Sequence, residues 1–225
     1  MSTNNSGSDT VADRIESGTK FKYISVFSGI EAASVAFKDL GWEASAFAEI
    51  DPFCCTMLNH HYPNVPNLGD VSSVDWKQYR DKVDLVVGGS PCQAFSVAGL
   101  RQSLADSRGN LTLEFVKLVH DINPRFCVWE NVPGVLNTKD NAFGCLLAGL
   151  VGADSPLVPP KQLKRVWRGD RIKWSNAGVV AGCERIAAWR IIDSKYFGIA
   201  QRRRRVFVIS CRVGDFHPGE ILFEP

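Results

Sequence analysis

The amino-acid sequence predicts an α/β domain built around a mostly parallel β-sheet. Short apolar runs typical of buried strands alternate along the chain with segments whose apolar residues recur at helical spacing. Glycine, proline and acidic residues directly follow several of these runs, as expected where parallel strands end in ligand-binding loops. At 225 residues, the chain is long enough to bury the core of one large domain.

The first two predicted strands are each followed by a helix. Residues 22–27 form an apolar run that ends at a Ser-Gly pair, which is typical of a strand. Residues 31–40 have apolar side chains at helical spacing, and Gly41 is a residue type that commonly ends a helix. Residues 44–50 predict the second strand. A proline in the first turn favours a second helix over residues 52–61.

The middle of the chain continues the alternation. Residues 84–87 have the composition of a short, fully buried strand and lead directly into two glycines. Residues 111–122 predict an amphipathic helix that an Asn-Pro pair stops. Residues 125–129 then predict a strand, and residues 141–151 a helix.

The last part of the chain predicts a different arrangement. Residues 154–184 are rich in proline, glycine and charge, so we expect irregular structure there. Residues 188–197 and 205–211 are rich in β-forming residues and are expected to be antiparallel neighbours near one edge of the sheet. We therefore predict a disordered leader over 1–20, one domain over 21–213 and a tail over 214–225.

Composition excludes some classes of protein. Hydrophobic residues make up 45% of the chain and charged residues 22%, which is ordinary for a globular protein, and the net charge is only +2. Any role in nucleic-acid binding must therefore depend on local residues. Neither a signal peptide nor an apolar stretch long enough to span a bilayer is found. The seven cysteines lack metal-ligand spacing, so we predict no metal, no membrane partner and a reducing cytoplasm.

Two strand ends predict a cofactor site. Gly29 follows the first strand and allows close approach of a ligand, and Glu49 lies 20 residues further on. At this spacing an acid accepts hydrogen bonds from ribose hydroxyls. The phosphate-binding GxGxxG pattern is absent, and Glu31 would repel a pyrophosphate. A ligand with a ribose but no phosphate, such as S-adenosylmethionine, fits, although a plain strand–turn–helix explains this segment alone equally well.

A cysteine and an acid at two later strand ends predict covalent chemistry. Cys92 lies on a Gly- and Pro-bearing loop after the strand 84–87, which favours accessibility. Glu130 stands where the strand 125–129 ends, so the pair suggests a nucleophile with a general acid. The alternatives are a buried structural cysteine and a salt-bridged or capping glutamate.

A run of four arginines, 202–205, leads into the last apolar segment. Such a run is usually a solvated face. In a strand, however, alternation sends Arg203 and Arg205 to one side and Arg202 and Arg204 to the other. One pair is then able to enter a site while the other meets solvent or phosphate.

Together these residues resemble the motifs of the DNA cytosine-5 methyltransferase family, in the order that the family uses, over residues 22–213. The matching segments are Phe27-Ser28-Gly29, Glu49, Gly69-Asp70-Val71, Ser90-Pro91-Cys92-Gln93 through Ser96, Asp106 to Leu111 including Arg108, Glu130-Asn131-Val132, and Gln201 with Arg203 and Arg205. The resemblance implies the Rossmann-like, mostly parallel sheet of S-adenosylmethionine-dependent methyltransferases with an antiparallel edge strand.

The resemblance also implies roles for individual residues. Cys92 would add to cytosine C6 while a buried, protonated Glu130 donates to N3, and Arg203 and Arg205 would hold O2 and orient the Cys92 loop. The cofactor would contact Phe27, Ser28, Gly29, Glu49, Ile50, Asp70, Val71, Pro91 and Leu111. The target base would flip out of a DNA duplex, and Gln93, Ser96, Arg108 and Asn131 would contact the DNA.

The sequence departs from the family in two places. Glu31 replaces a glycine that is common in the first motif, and the target-recognition domain and last motifs expected after the arginine motif are absent before Pro225. We therefore expect either a truncated product or one half of a split enzyme whose second polypeptide carries recognition. A non-catalytic interaction protein and a tRNA cytosine-5 methyltransferase are further alternatives.

Overall fold

A computed structural model describes residues 20–91, 111–160 and 173–223. Within these ranges, seven strands form one sheet in the order β2-β1-β3-β4-β7-β6-β5. The strands are β1 Lys22–Val26, β2 Glu43–Ala48, β3 Leu85–Gly88, β4 Phe126–Asn131, β5 Ala177–Ala181, β6 Arg185–Asp193 and β7 Arg204–Arg212. Strands β1 to β4 pair in parallel, and the pairs β4–β7, β7–β6 and β6–β5 are antiparallel.

Helices connect the parallel strands. The α-helices are α1 Ala32–Phe37, α2 Pro52–His61, α3 Leu111–Ile122, α4 Ala142–Val151 and α5 Gly219–Leu222. The predicted bounds of α2 are confirmed, because local signals fix its ends, and the predicted end of α3 at Ile122 is confirmed as well. The residues before Leu111 lie outside the described ranges. Asp51 caps α2 by accepting from the Cys54 N–H (3.0 Å), and Pro52 occupies its first turn. None of the helices in the three described ranges combines the length and apolar composition needed to span a bilayer.

The sheet has two apolar faces because strand side chains alternate. On one face, Ile24 and Val26 of β1 join a large core that includes α3 and α4. On the other face, Tyr23 and Leu85 belong to a smaller core that includes Phe21, Phe126 and Leu222. Val87, Val128 and Phe207 are only partly buried on this second face. That face is therefore less completely covered than the first.

The antiparallel part of the sheet differs from the sequence-based expectation. The two expected strands are confirmed as the antiparallel neighbours β6 and β7 near one edge of the sheet, but their bounds differ. β6 begins at Arg185 and ends at Asp193, where a 3-10 turn replaces the expected strand to 197. The edge strand is β5, which lies within the segment 154–184 that was expected to be irregular.

The reason β5 was missed lies in Gly178. A Cβ at Gly178 would lie 2.4 Å from the nearest atom of the Trp189 indole, so the glycine makes room for this ring and does not interrupt the strand. The prediction of a mostly parallel α/β sheet is nevertheless confirmed, since five of the seven strands point in the same direction.

Candidate active site

A cavity of about 680 Å³ opens at the carboxyl ends of β1, β3 and β4, beside the start of β7. Its size is within the usual range for a small-molecule site. Phe27 and Ser28 line it from the turn after β1, Gly88 and Gly89 from the end of β3, and Glu130 from the end of β4. Most of the further lining side chains are apolar or basic, among them Ala33, Ala36, Phe37, Val87, Val128, Ile192, Phe197, Arg203, Arg205 and Phe207. Ser25 and Ser194 add hydroxyl groups.

The turn after β1 is held in an unusual backbone conformation. Phe27, Gly29 and Glu31 have φ angles of 53°, 55° and 68°, and residues other than glycine rarely adopt such positive values. The Ser28 hydroxyl donates to the Ser25 carbonyl (2.9 Å) and the Gly29 N–H to Glu49 Oε2 (2.7 Å). Strained backbone of this kind is concentrated at functional sites, where surrounding contacts hold it in place.

Glu49 joins this turn to the one after β2. Its Oε1 accepts from the backbone N–H groups of Ile50 and Asp51, both at 2.8 Å, while Oε2 accepts from Gly29. The carboxylate is half-buried and has acceptor capacity beyond these bonds. Binding of a ribose by Glu49 stays a prediction.

Glu31 is fully buried at the start of α1. Its Oε1 accepts from the N–H and the hydroxyl of Ser34, both at 3.0 Å, whereas Oε2 has no hydrogen-bond partner. Burial raises the pKa of Glu31 above its ordinary value, and the neighbouring polar groups of Ser25 and Ser34 only partly oppose this shift. The Ser34 hydroxyl is also hydrogen-bonded to Tyr23 Oη (2.5 Å). Burial likewise raises the pKa of Tyr23, to about 12.

The end of β3 requires its two glycines. A Cβ at Gly88 would lie 2.7 Å from the Val26 carbonyl oxygen. A Cβ at Gly89 would lie 3.0 Å from Glu130 Oε2 and 3.1 Å from the Glu130 carbonyl oxygen. Only glycine lets the chain that leads to Cys92 pass this close to Glu130.

Ser90 fixes the chain two residues before Cys92. Its carbonyl oxygen accepts from Asn131 Nδ2 (2.9 Å), and its hydroxyl accepts from Trp129 Nε1 (3.1 Å) and is hydrogen-bonded to Thr112 Oγ1 (2.6 Å). Ser90 is only 3% exposed. These contacts, called the Ser90 anchor below, tie the beginning of the Cys92 loop to β4 and α3.

Glu130 is paired with the arginine motif. Arg205 Nε lies 2.7 Å from Glu130 Oε1, because the start of the antiparallel strand β7 meets the end of β4. The burial expected for Glu130 is not observed among the described residues, since 34% of its side chain is exposed. Arg203 and Arg205 both line the cavity, and Arg202 and Arg204 line a pocket on the other side. The predicted alternation is confirmed, although Arg203 precedes the strand.

The remaining predicted residues fall into three groups. Cys92, Gln93, Ser96 and Arg108 lie outside the described residues. Pro91, Ile50 and Asp70 are exposed, Leu111 is partly buried at the start of α3, and none of the four lines the cavity. Their proposed cofactor contacts stay predictions.

Burial limits two further assignments. The Val71 side chain is 5% exposed and belongs to the large core. Asn131 is 6% exposed, and its amide donates to the Ser90 carbonyl oxygen. Their contacts with a cofactor and with DNA stay predictions. The Ser90 anchor itself was missed, because its partners Thr112 and Trp129 are 22 and 39 residues away in sequence.

The fold is that of S-adenosylmethionine-dependent methyltransferases. Residues 21–149 match the model of the C-5 cytosine-specific DNA methylase family, and the chain belongs to that family. A type II methyltransferase, M.AquIA of Picosynechococcus sp., is 32% identical over 86% of this chain and 73% of its own length. The crystal structure of S. pombe Dnmt2 methyltransferase has the same fold, with a TM-score of 0.60 at 15% identity over 90% of this chain and 53% of that one.

A further relative is named for a different activity. A protein of Escherichia phage P1 named DNA N-6-adenine-methyltransferase is 48% identical over 90% of this chain. The chain spans only 30% of the length of that relative. Most of the phage protein therefore has no counterpart in this alignment.

The residues around the cavity fit S-adenosylmethionine, the cofactor of this family. The partly buried Phe27 ring and small alanine side chains offer apolar surface for an adenosine, and the Glu49 carboxylate supplies a hydrogen-bond acceptor at the adjoining turn. At Gly29 a Cβ would meet nothing within 4 Å, so there is open space against the backbone. Phe27 and Gly29 would hold the adenosine side of the cofactor, with Glu49 on the ribose.

Proposed function

We propose that this chain transfers a methyl group from S-adenosylmethionine to C5 of cytosine in DNA, with Cys92 as the covalent nucleophile. One observation carries the proposal. The Ser90 anchor fixes the chain two residues before Cys92, and Gly89 brings that same chain against Glu130. A nucleophile and a carboxyl group are thereby expected in one cavity, together with Arg203 and Arg205.

The chemistry requires both groups because cytosine C6 is a weak electrophile. The Cys92 thiolate would form a bond to C6 while Glu130 donates a hydrogen bond to N3, which stabilises the negative charge that develops on the ring. The bound cofactor supplies an electrophilic methyl group to C5. A base then removes the C5 proton, the sulfur–C6 bond breaks, and the electron pair returns to Cys92.

Arg205 has two tasks in this proposal. Its Nε forms an ion pair with Glu130 Oε1, so Arg205 orients the carboxyl group from the β7 side. Glu130 Oε2 remains on the side of Gly89, 3.0 Å from where a Cβ of that residue would stand. When a base enters, Arg203 and Arg205 are the cationic donors in the cavity that are available for its O2 atom.

Methylation of adenine N6 is the second candidate, because of the name of the phage P1 relative. The exocyclic amine of adenine is itself a nucleophile and needs no covalent partner from the protein. A Cys92 loop anchored beside Glu130 has no role in that reaction. Since 70% of the phage relative lies outside the alignment, we assign the adenine activity in its name to that unaligned part. We therefore favour C5 of cytosine.

The test separates the two reactions and the nucleophile. The chain is incubated with isotope-labelled S-adenosylmethionine and duplex DNA, and the nucleosides are analysed by mass spectrometry. We expect labelled 5-methylcytosine and no N6-methyladenine. DNA containing 5-fluorocytosine should form a covalent adduct with the wild-type chain but not with Cys92→Ala. Cys54→Ala, which changes an ordinary helix cysteine, is the matched control and should keep the adduct. An adduct in Cys92→Ala, or label on adenine, would overturn the proposal.

The domain assignment and the second polypeptide belong to the same proposal. We propose that residues 21–213 supply cofactor binding and methyl transfer, and that sequence recognition depends on a separate segment or a second chain. Adding such a partner to the assay should then raise the rate and restrict the methylated sequences.

A further inference from the structure

A second pocket lies next to the candidate active site. It has a volume of about 730 Å³ and is formed by the end of β6, the 3-10 turn after it and the start of β7. Its charged and aromatic lining includes Arg190, Asp193, Lys195, Tyr196, Arg202 and Arg204, and it is called the basic pocket below. Ile192 and Phe197 line both the basic pocket and the active-site cavity, so the two spaces adjoin.

The start of β7 divides its arginines between the two spaces. Arg203 and Arg205 line the cavity that would hold the base, and Arg202 and Arg204 line the basic pocket. Alternation along an extended chain produces this division. A nucleotide whose base entered the cavity would therefore leave its sugar and phosphates close to the second pair of arginines.

The basic pocket concentrates the positive charge of the chain. It has four cationic side chains and one carboxylate, that of Asp193, so its net charge is +3. The whole chain carries only +2, so everything outside the pocket sums to −1. A local field of this kind attracts an anionic partner that the overall charge does not.

Within the described ranges, three of these cations are exposed and lack an ion-pair partner. Lys195, Arg202 and Arg204 are exposed, and in the described ranges none of the three forms an ion pair with an acidic side chain. The Asp193 carboxylate is 8% exposed and accepts instead from the Lys195 backbone N–H (3.4 Å). Three charged donors thus remain available to a ligand.

Exposed aromatic rings stand beside the charges. Tyr196 is 76% exposed and Phe197 is 65% exposed, and Lys195 Nζ lies 4.4 Å from the centre of the Tyr196 ring. Large exposed rings interleaved with cations are typical of surfaces that bind nucleic-acid strands, where rings stack on bases or sugars and cations contact phosphates. An acidic peptide would use the cations but would not need the rings.

We propose that the basic pocket binds the sugar–phosphate backbone of the DNA strand that carries the target cytosine, next to the flipped nucleotide. The inference rests on the proposed function, because the cavity beside the pocket must receive the base. Phosphate contacts of this kind fix the position of the strand without selecting its sequence. The pocket would therefore increase the affinity for DNA and fix the position of the strand through Lys195, Arg202 and Arg204, without selecting a sequence.

The experiment measures the affinity of the chain for a labelled DNA duplex by fluorescence anisotropy at several salt concentrations. The test variant is the triple substitution Lys195→Ala, Arg202→Ala and Arg204→Ala. The matched control is Lys38→Ala, Lys77→Ala and Lys82→Ala, which removes the same charge from exposed positions outside both pockets. Calorimetry of S-adenosylmethionine binding checks that both variants are folded.

We expect the affinity of the test variant for DNA to fall by at least about tenfold at low salt. The slope of log Kd against log salt should decrease by about 0.9 for each phosphate that the variant no longer neutralises. The control should stay within about twofold of wild type. Equal reductions in both variants would show a general charge effect, and an unchanged affinity in the test variant would show that the pocket is not used. Either result, or a reduction confined to an RNA duplex of the same sequence, would overturn the inference.

Failure of the inference is distinguishable from failure of the proposed function. A reduced salt slope in the test variant without any 5-methylcytosine from wild type would keep the DNA-binding surface and reject the proposed chemistry. Formation of 5-methylcytosine with an unchanged salt slope would reject the surface alone.

Discussion

At the scale of single residues, the turn after β1, which spans residues 27–31, combines several features that usually destabilise a folded protein. Within five residues it has two non-glycine side chains at positive φ and a fully buried carboxyl group with an unpartnered oxygen. The sequence indicated one of these features, because the family resemblance places a glycine where this chain has Glu31. The φ of 68° at Glu31 gives the physical reason for that glycine, since only glycine adopts this conformation without strain. The Ser34 hydrogen bonds hold Glu31 there instead.

The buried Glu31 carboxyl predicts a pH-dependent loss of stability. Burial raises the pKa of Glu31 in the folded protein, so the unfolded chain releases this proton at a lower pH than the folded one. Above pH 4.5, the ordinary pKa of a glutamate, the unfolded chain loses this proton while the folded state keeps it or buries a charge. The free energy of unfolding therefore falls with rising pH until pH exceeds the pKa of Glu31 in the folded protein. Glu31→Gln keeps an acceptor for Ser34 and removes this titration.

We therefore expect Glu31→Gln to gain stability relative to wild type as pH rises from about 5 to about 8. Urea unfolding followed by circular dichroism at each pH gives the difference. Glu220→Gln, at an exposed carboxylate, is the control and should follow the wild-type profile. Parallel profiles for wild type and Glu31→Gln would contradict the assignment of a raised pKa.

At the scale of helices and strands, the sequence predicted the features that neighbouring residues determine, such as helix ends and strand positions. A capping aspartate with Pro52 fixed the beginning of α2, and the alternation of apolar runs placed the active-site residues at strand ends. Contacts across the sheet were not predictable. The edge strand β5 contains a glycine that accommodates Trp189, and the Ser90 anchor joins residues far apart in sequence. The Glu130–Arg205 pair depends on the antiparallel approach of β7, which the arginine motif alone does not specify.

The junction of β4 with the loop after β3 predicts that Asn131 is a positioning residue. Asn131→Ala leaves the buried Ser90 carbonyl oxygen without its donor, which costs about 1–3 kcal/mol of stability. The Cys92 loop should become less precisely held, so kcat should fall by tenfold or more while the KM for S-adenosylmethionine changes little. The rate of adduct formation with 5-fluorocytosine DNA should fall in parallel.

Asn137→Ala is the control for this prediction, because Asn137 is exposed at the end of a neighbouring 3-10 turn. It should keep wild-type kcat and stability. If Asn131→Ala loses stability but retains its rate of adduct formation, the Ser90 anchor is structural only and does not position Cys92.

At the scale of the whole molecule, the candidate active site lies where the parallel strands of the sheet end. The candidate site and the basic pocket lie side by side, whereas the rest of the chain sums to a negative charge. The second face of the sheet leaves Val87, Val128 and Phe207 only partly buried along the cavity. The phage P1 relative has more than three times the length matched here. We therefore expect recognition of a DNA sequence to depend on groups other than those described.

This division predicts how the chain behaves by itself. Sequence specificity requires side chains that contact base edges in a groove, and phosphate contacts alone carry no sequence information. The chain should therefore methylate cytosines slowly and without a consensus sequence, with a rate that falls steeply as salt increases. Bisulfite sequencing of long DNA treated at low salt measures the distribution of methylated sites, and Cys92→Ala gives the background. Efficient methylation confined to one short sequence would contradict the prediction, because sequence recognition would then reside within these 225 residues.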